Sequence, residues 1–439
     1  MIDLFLIVLF SIAGLSIGCI TGLIPGLHVN TISLLILSSI DTFVIILQPL
    51  GVQETFLVTL IGVFIAALAL VHTFVNIIPA TFLGAPDEDV ALSILPAHKL
   101  LLRGKGYEAV TLSAFGSFGA LVVSTALLVP FKFILSDPLN LYTILNENMF
   151  WILLAVVILM IATEKPKEKK TFYTTFKVFS AAATVIVLSG VFGLLIMDLP
   201  INSPLSLPSS ILFPALAGLF GMSTQIHSLR YPAPIKAQTF TEPHFTEREK
   251  HSTIFSILLG TLAGAFVAII PGITAATGTI MAMSARGETD ERQTIVTLSA
   301  VNTANVFLVV AILFILEKAR SGAAVALSNI LLVEEWNETM PPLTLIHLLI
   351  SLLVAGAFAY PLTCMLGKKL AKHINSVPYT QLIKATIVVL IVLTFLFTGL
   401  LGLFILMVAT AIGLIPLTLG VRRNHCMGVL ILPLMLHFL

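Results

Sequence analysis

The chain has 439 residues, 58% of them hydrophobic and 10% charged, against about 25% charged in soluble domains. So apolar a chain cannot be covered by its own polar surface, which excludes a water-soluble protein and selects one that lives in a bilayer. The net charge of +1 comes with no basic stripe interleaved with aromatics, so no nucleic-acid partner is expected.

The opening Met1-Ile-Asp-Leu-Phe lacks the basic start of a signal peptide and is read as the beginning of a retained first membrane helix. That helix carries Gly14, Gly18, Gly22 and Gly26, with Pro25 before the last glycine. Residues four apart share a helix face, so the run is a smooth stripe on which another backbone can pack closely. Pro-Gly then breaks the helix. The same device recurs 246 positions on, as Gly260, Gly264, Ala268 and Gly272 with Pro271. Paired broken helices in two halves of an apolar chain mark the substrate and ion sites of secondary transporters; helix packing plus a kink is the structural alternative.

Apolar runs follow near Glu54 to Pro79, Ala109 to Leu135, Phe150 to Ala162, Val178 to Met197 and Ile211 to Ile226. The polar, proline-bearing stretch from Arg230 to Lys250 reads as a connector. After the second stripe come runs near Thr294 to Leu316, Leu343 to Leu366, Ile383 to Leu401, Phe404 to Thr418 and Met427 to Leu439. Several fall short of the ~20 residues that span a bilayer upright, so re-entrant or interrupted segments are expected. With the N-terminus outside and each stripe turning back as a hairpin, only Lys132, Lys318 and Arg320 of the 23 basic residues leave the cytoplasmic side. That path gives the halves opposite topology. Val90-Ala-Leu-Ser93 recurring as Val325-Ala-Leu-Ser328 adds to the duplication. The expected fold is an all-α integral membrane protein: residues 1–228 form a first repeat, 229–251 a cytoplasmic connector and 252–439 a second, inverted repeat.

Just past the first break lie His28, Asn30 and Thr31; past the second lie Thr274 and Thr277. Free N–H groups at helix starts attract anions, so Pro25, Gly26, Pro271, Gly272 and these side chains are candidate substrate contacts, with plain helix capping as the alternative. Asn76, Asn302 and Asn305 extend the candidate set, against simple interhelical hydrogen bonding. Asp87, Glu88 and Asp89 are candidates for coupling to sodium or protons or else mark a helix start at the surface. Arg320 is a candidate anion contact or a surface arginine. Cys19, Cys364 and Cys426 read as free thiols, and the ten histidines form no ligand spacing. No H-E-x-x-H or P-loop pattern occurs, so no catalysis, metal or cofactor is expected. An intramembrane hydrolase or lipid transferase is the enzyme alternative.

Gly18-Cys-Ile-Thr-Gly-Leu-Ile-Pro-Gly26 and the later Leu95-Pro-Ala-His-Lys-Leu-Leu-Leu-Arg-Gly104 resemble the TctA family, the large permease subunits of tripartite tricarboxylate transporters. Ala217-Gly-Leu-Phe-Gly221 and Ile270-Pro-Gly272 are similar to further segments of that family. Where the family has a second-half Gly-Ile-Pro-Gly, this chain has Lys318-Ala-Arg-Ser-Gly322, and Asn302 and Asn305 echo its paired asparagines. The resemblance implies cation-coupled carboxylate uptake with a small membrane subunit and an extracytoplasmic binding protein as partners. A translocator of a lipid-linked anion such as polyprenyl phosphate is the competing function. A membrane scaffold with no polar cavity is a third.

The charge pattern puts Lys165 to Lys170 in the cytoplasm. A cysteine at Lys167, in a variant lacking Cys19, Cys364 and Cys426, is expected to escape an impermeant thiol reagent in whole cells. Labelling without permeabilisation would reverse the topology.

Overall fold

The computed structural model describes residues 2–24, 29–84, 94–136, 139–164, 171–204, 211–230, 236–240, 243–270, 275–286, 290–337, 340–374 and 379–439. The described residues are helical throughout, joined by turns and short extended links. The first half holds α1 (Ile2–Leu23), α2 (Val29–Ser38), α3 (Ile40–Leu47), α4 (Glu54–Val75), α5 (Ile77–Phe82) and α6 (Ile94–Leu102). It continues with α7 (Gly106–Leu135), α8 (Leu141–Glu147), α9 (Met149–Ala162), α10 (Phe172–Ile196), α11 (Leu212–Leu216) and α12 (Ser223–Arg230). The second half holds α13 (Glu247–Ile269), α14 (Ala275–Arg286), α15 (Glu291–Ile315) and α16 (Gly322–Ile330). It ends with α17 (Leu343–Ile374), α18 (Tyr379–Leu419) and α19 (Gly428–His437). Among the described residues eight helices are long and apolar enough to cross a membrane, and α8 with α9, bent by 67°, is a further apolar pair with the shape of a broken span or a re-entrant loop. Their outer faces expose Phe5, Ile20, Phe118, Val122, Leu195, Leu262 and Phe404, a surface suited to hydrocarbon and not to water.

The glycine stripes set the packing. A Cβ on Gly14 would meet Phe64 O at 2.5 Å, Ala67 Cβ at 2.8 Å and Leu68 N at 3.1 Å. On Gly260 it would meet Thr297 O at 2.7 Å, Ala300 Cβ at 2.7 Å and Val301 N at 3.4 Å. Each atom in the second set stands 233 positions after its counterpart in the first. Gly18 and Gly264 repeat the pattern one turn on, against Leu68 O and Val71 Cβ, then Val301 O and Ala304 Cβ. So α1 lies parallel on α4 in the same register as α13 on α15.

The halves also exchange contacts. Gly116 of α7 packs on Val296 O of α15, while Ser351 of α17 donates to Val63 O of α4 at 2.8 Å. Gly193 of α10 sits on the Val429 backbone of α19, and Gly413 of α18 on the Leu219 backbone. Two groups of helices result, each drawing on both halves: α1, α4, α7, α13, α15 and α17 in one, and α9 to α12 with α18 and α19 in the other. The groups touch where α14 meets α9 and the turn ahead of α19.

Ion pairs tie helix ends within each group. Arg292 bridges Glu108 at 2.9 Å and Glu249 at 2.5 Å, joining the starts of α15, α7 and α13. In the other group the buried Glu164 accepts from Arg422 Nε at 2.7 Å and pairs with His425 Nε2 at 2.8 Å. Burial pushes the Glu164 carboxyl up, but the hydrogen bonds from His425 and Arg422 outweigh it and hold the pKa below the usual carboxylate range.

Arg423, one of the basic residues expected on the cytoplasmic side, is 3% exposed. Residues Ala217–Met222 wind into a π-turn between α11 and α12, where main-chain carbonyls take side-chain donors, Ser223 Oγ on Leu219 O and Thr224 Oγ1 on Phe220 O among them. The Arg423 guanidinium donates to two of them, Leu219 O at 2.6 Å and Phe220 O at 2.9 Å, and to the hydroxyls of Ser223 and Thr224. Burial pulls its pKa down to about 10, so the charge survives at neutral pH. The apolar run expected over Ile211 to Ile226 is therefore a helix–π–helix segment. The runs expected over Ile383 to Leu401 and Phe404 to Thr418 are the two arms of α18, joined at Gly399, whose φ of 64° breaks the helix.

Valine at Gly18 or at Gly264 would place its Cβ at 2.6 Å from Leu68 O or 2.5 Å from Val301 O. Backbone cannot yield as a side chain can, so each variant is expected to lose about 1–3 kcal/mol. A lowered melting temperature in detergent checks this.

Candidate functional site

The crossing of α4 and α15 is marked by Thr73 and Thr303, whose hydroxyl oxygens lie 3.0 Å apart. Thr73 spends its own proton on Leu70 O at 2.7 Å, so Thr303 is the donor of the pair. Beside it, His72 Nδ1 lies 3.1 Å from Thr21 Oγ1 of α1. Thr21 donates to Gly18 O at 3.0 Å, which makes His72 Nδ1 the donor and fixes the tautomer on that nitrogen. His72 and Thr73 border a cavity of about 350 Å³ whose walls come from both halves and both helix groups. Its polar lining is Asn30, His72, Thr73, Asn305, Arg320 and Ser321; Met197, Leu212 and Leu430 close it from the second group.

The start of α16 forms one wall. Ser321 caps the helix by accepting from Ala324 N at 3.1 Å. Asn30 Oδ1 accepts from Ala323 N at 3.1 Å, an approach allowed by Gly322, where a Cβ would strike Asn30 at 2.6 Å. Asn30 thus fastens the return arm of the first stripe, α2, to α16 of the other half. Arg320 donates through Nη2 to Tyr142 OH at 2.7 Å, and its Nε is buried with no partner.

Of the residues singled out in the sequence, Asn30, Asn305 and Arg320 meet in this cavity. Thr277 is buried on α14 but outside the lining, which α14 enters through Ala275. Asn76 and Asn302, 2% and 1% exposed, also lie outside the lining. Both amide atoms of each are buried without a hydrogen-bond partner. Asn76 sits at the joint of α4 and α5, where Pro79 removes a helix N–H and crowds the carbonyl four residues back. Pro25, Gly26, His28, Pro271, Gly272, Thr274 and Asp87 to Asp89 lie outside the described residues, as does the Thr31 side chain. His72, Thr73 and Ser321 line the cavity and were not among the candidates; only His72 and Thr73, inside the polar His72 to Asn76 run, had a sequence signal. Among the described residues no group of three His, Cys, Asp or Glu side chains is placed to hold a metal ion.

Apolar helices enough to cross a bilayer eight times, interrupted in several places around an internal cavity with a few polar groups, define a membrane permease of the broken-helix kind. The chain belongs to the tripartite tricarboxylate transporter TctA family, which it matches over residues 8–428. It is also similar to an uncharacterized protein of Methanocaldococcus jannaschii, 30% identical over 437 residues, with 98% of each chain covered. No solved structure matches it.

An unpaired buried amide costs about 1–3 kcal/mol, so leucine at Asn302 or Asn76 relieves a penalty. Asn302→Leu and Asn76→Leu are expected to melt at or above the wild-type temperature while losing most of their uptake. A fall in melting temperature with uptake intact would make the amides structural.

Proposed function

We propose that this protein is the permease of a secondary transporter for small organic anions, di- or tricarboxylates, driven by a sodium or proton gradient. The observation that carries the reading is the cavity: about 350 Å³, inside the ~300–1,000 Å³ of small-molecule sites, with the cation Arg320 in its wall. Arg320 is held by a phenol hydroxyl, and among the described residues no carboxylate is paired with it. Membership of the TctA family points to the same substrate class.

On this reading the halves are inverted repeats, which the shared glycine register and the reciprocal contacts of α7 with α15 and α17 with α4 support. The N-terminus lies outside and the basic loops lie in the cytoplasm. The anion rests between the breaks at Pro25-Gly26 and Pro271-Gly272, met by helix-start N–H groups with His28, Asn30, Thr31, Thr274 and Thr277 near them. Helix starts offer hydrogen bonds without a fixed full charge, which favours release as well as capture. Asp87, Glu88 and Asp89 serve the coupling ion. A small membrane subunit and an extracytoplasmic binding protein complete the transporter, which fits the three-part make-up in the family's name.

Proteoliposomes given labelled di- and tricarboxylates, with and without a sodium or proton gradient, are expected to show gradient-dependent uptake. Gly272→Val is expected to abolish it at matched expression, and Thr277→Val to raise KM about tenfold, the loss of one donor to a charged group. No uptake of any acid under either gradient would overturn the reading; movement of a polyprenyl phosphate instead would favour the lipid-linked alternative.

A further inference from the structure

The link from α15 to α16 is short and sharply turned. Glu317 takes a left-handed conformation, φ 51°, costly for a residue with a side chain. The turn brings Lys318 and Arg320 together on one atom, Tyr142 OH of α8. Lys318 Nζ lies 3.1 Å from that oxygen and Arg320 Nη2 lies 2.7 Å from it. Both cations also stand over the Tyr142 ring, at 4.4 and 5.2 Å from its centroid.

A phenol oxygen has two lone pairs, and here both are taken by cations. Two like charges repel, and a neutral hydroxyl cancels neither of them. Among the described residues no carboxylate pairs with Lys318 or Arg320, and the adjoining Glu317 is exposed. Arg320 keeps a second donor, its buried Nε, unpartnered. Lys318 is exposed while Arg320 reaches the cavity wall, so the pair runs from solvent to the cavity. Two positive charges converging on a neutral acceptor, with a further donor left over, form an anion site with a stand-in in it.

We propose that Lys318 and Arg320 are the capture site for the substrate carboxylate at the cavity mouth, and that Tyr142 OH keeps its place until the anion arrives. The inference rests on the carboxylate-transport reading and deepens it. A carboxylate makes charge-assisted hydrogen bonds roughly twice as strong as those of a neutral acceptor, so it displaces the phenol. On release the phenol returns and completes the cations' bonding, so the anion is not trapped by a bare pair of charges. Tyr142 is carried by α8, which meets α9 at the 67° bend.

The test compares Lys318→Gln, Arg320→Gln, Arg320→Lys and Tyr142→Phe in proteoliposomes with labelled citrate. The two glutamine variants are expected to raise KM about tenfold, the loss of one charge-assisted contact, with Arg320→Lys recovering part of it. Tyr142→Phe removes the competitor and is expected to lower KM about threefold while slowing turnover, since a stand-in no longer assists release. Opposite signs from residues in one hydrogen-bonded cluster are what a packing role does not produce. An unchanged KM in both glutamine variants, or Tyr142→Phe shifting KM upward with them, would overturn the proposal. If the wild type carries no di- or tricarboxylate under either gradient, the transport reading has failed, and the capture site is judged on the purified protein in detergent. There, thermal stabilisation by citrate that Arg320→Gln lacks supports it, and no stabilisation of the wild type overturns it. Equal stabilisation by inorganic phosphate would overturn the assignment to carboxylates.

Discussion

Hydrocarbon offers no hydrogen bonds, so every interruption of a membrane helix must find its partners inside the protein. Much of this fold answers that demand. The π-turn at Ala217–Met222 turns its carbonyls to Arg423. The break at Gly399 lies beside Ser203, which donates to Leu396 O at 2.8 Å. The start of α16 gives its first N–H groups to Ser321 and to Asn30. Each irregular segment takes a partner from far away in the chain, and in all three that residue comes from the other half. The interleaving of the halves follows from the solvent.

Glycine then decides where the polar groups stand. Helices in a bilayer gain little by burying apolar surface against one another, so close van der Waals contact has to hold them. The stripes on α1 and α13 let α4 and α15 come within backbone distance, and so fix the rotation of both. With that rotation set, His72 and Thr73 on one helix and Asn305 on the other turn into a common space. A bulkier stripe would move the polar groups even if every one of them were kept. Stability and site geometry here come from the same residues.

What the sequence discloses follows from the range of each interaction. Stripes, Pro-Gly breaks and apolar runs are local patterns, and the helices and the matched glycine pairs were legible from them. The joint inside α18 was legible only as a gap between Leu401 and Phe404; the left-handed residue is Gly399, one turn earlier. The π-turn was hidden, since Ala217 to Met222 reads as ordinary apolar helix and its stabilising arginine lies some 200 positions on. Tyr142 carried no signal either, because its meaning comes from two cations in the other half. Asn30 and Arg320 were legible as polar residues in apolar surroundings. That Asn30 spends its carbonyl on the α16 backbone was not.

The Arg423 clamp has a consequence for biosynthesis. Residues Ala217–Met222 leave the ribosome long before residue 423, and until then Leu219 O and Phe220 O have the nearby Ser223 and Thr224 hydroxyls as side-chain donors but not the guanidinium that joins them in the finished fold. Chains are made and inserted from the N-terminus, so the π-turn segment is held by those local hydroxyls, without its distant cation, for about half the length of the chain. Only when the last two dozen residues emerge does the guanidinium arrive, already tied to its neighbourhood through Arg422 and His425 on Glu164. The C-terminal turn therefore acts as the closing pin of the second helix group. A chain that stops short of residue 423 keeps most of its apolar helices and lacks the cation that joins the π-turn to the C-terminal turn.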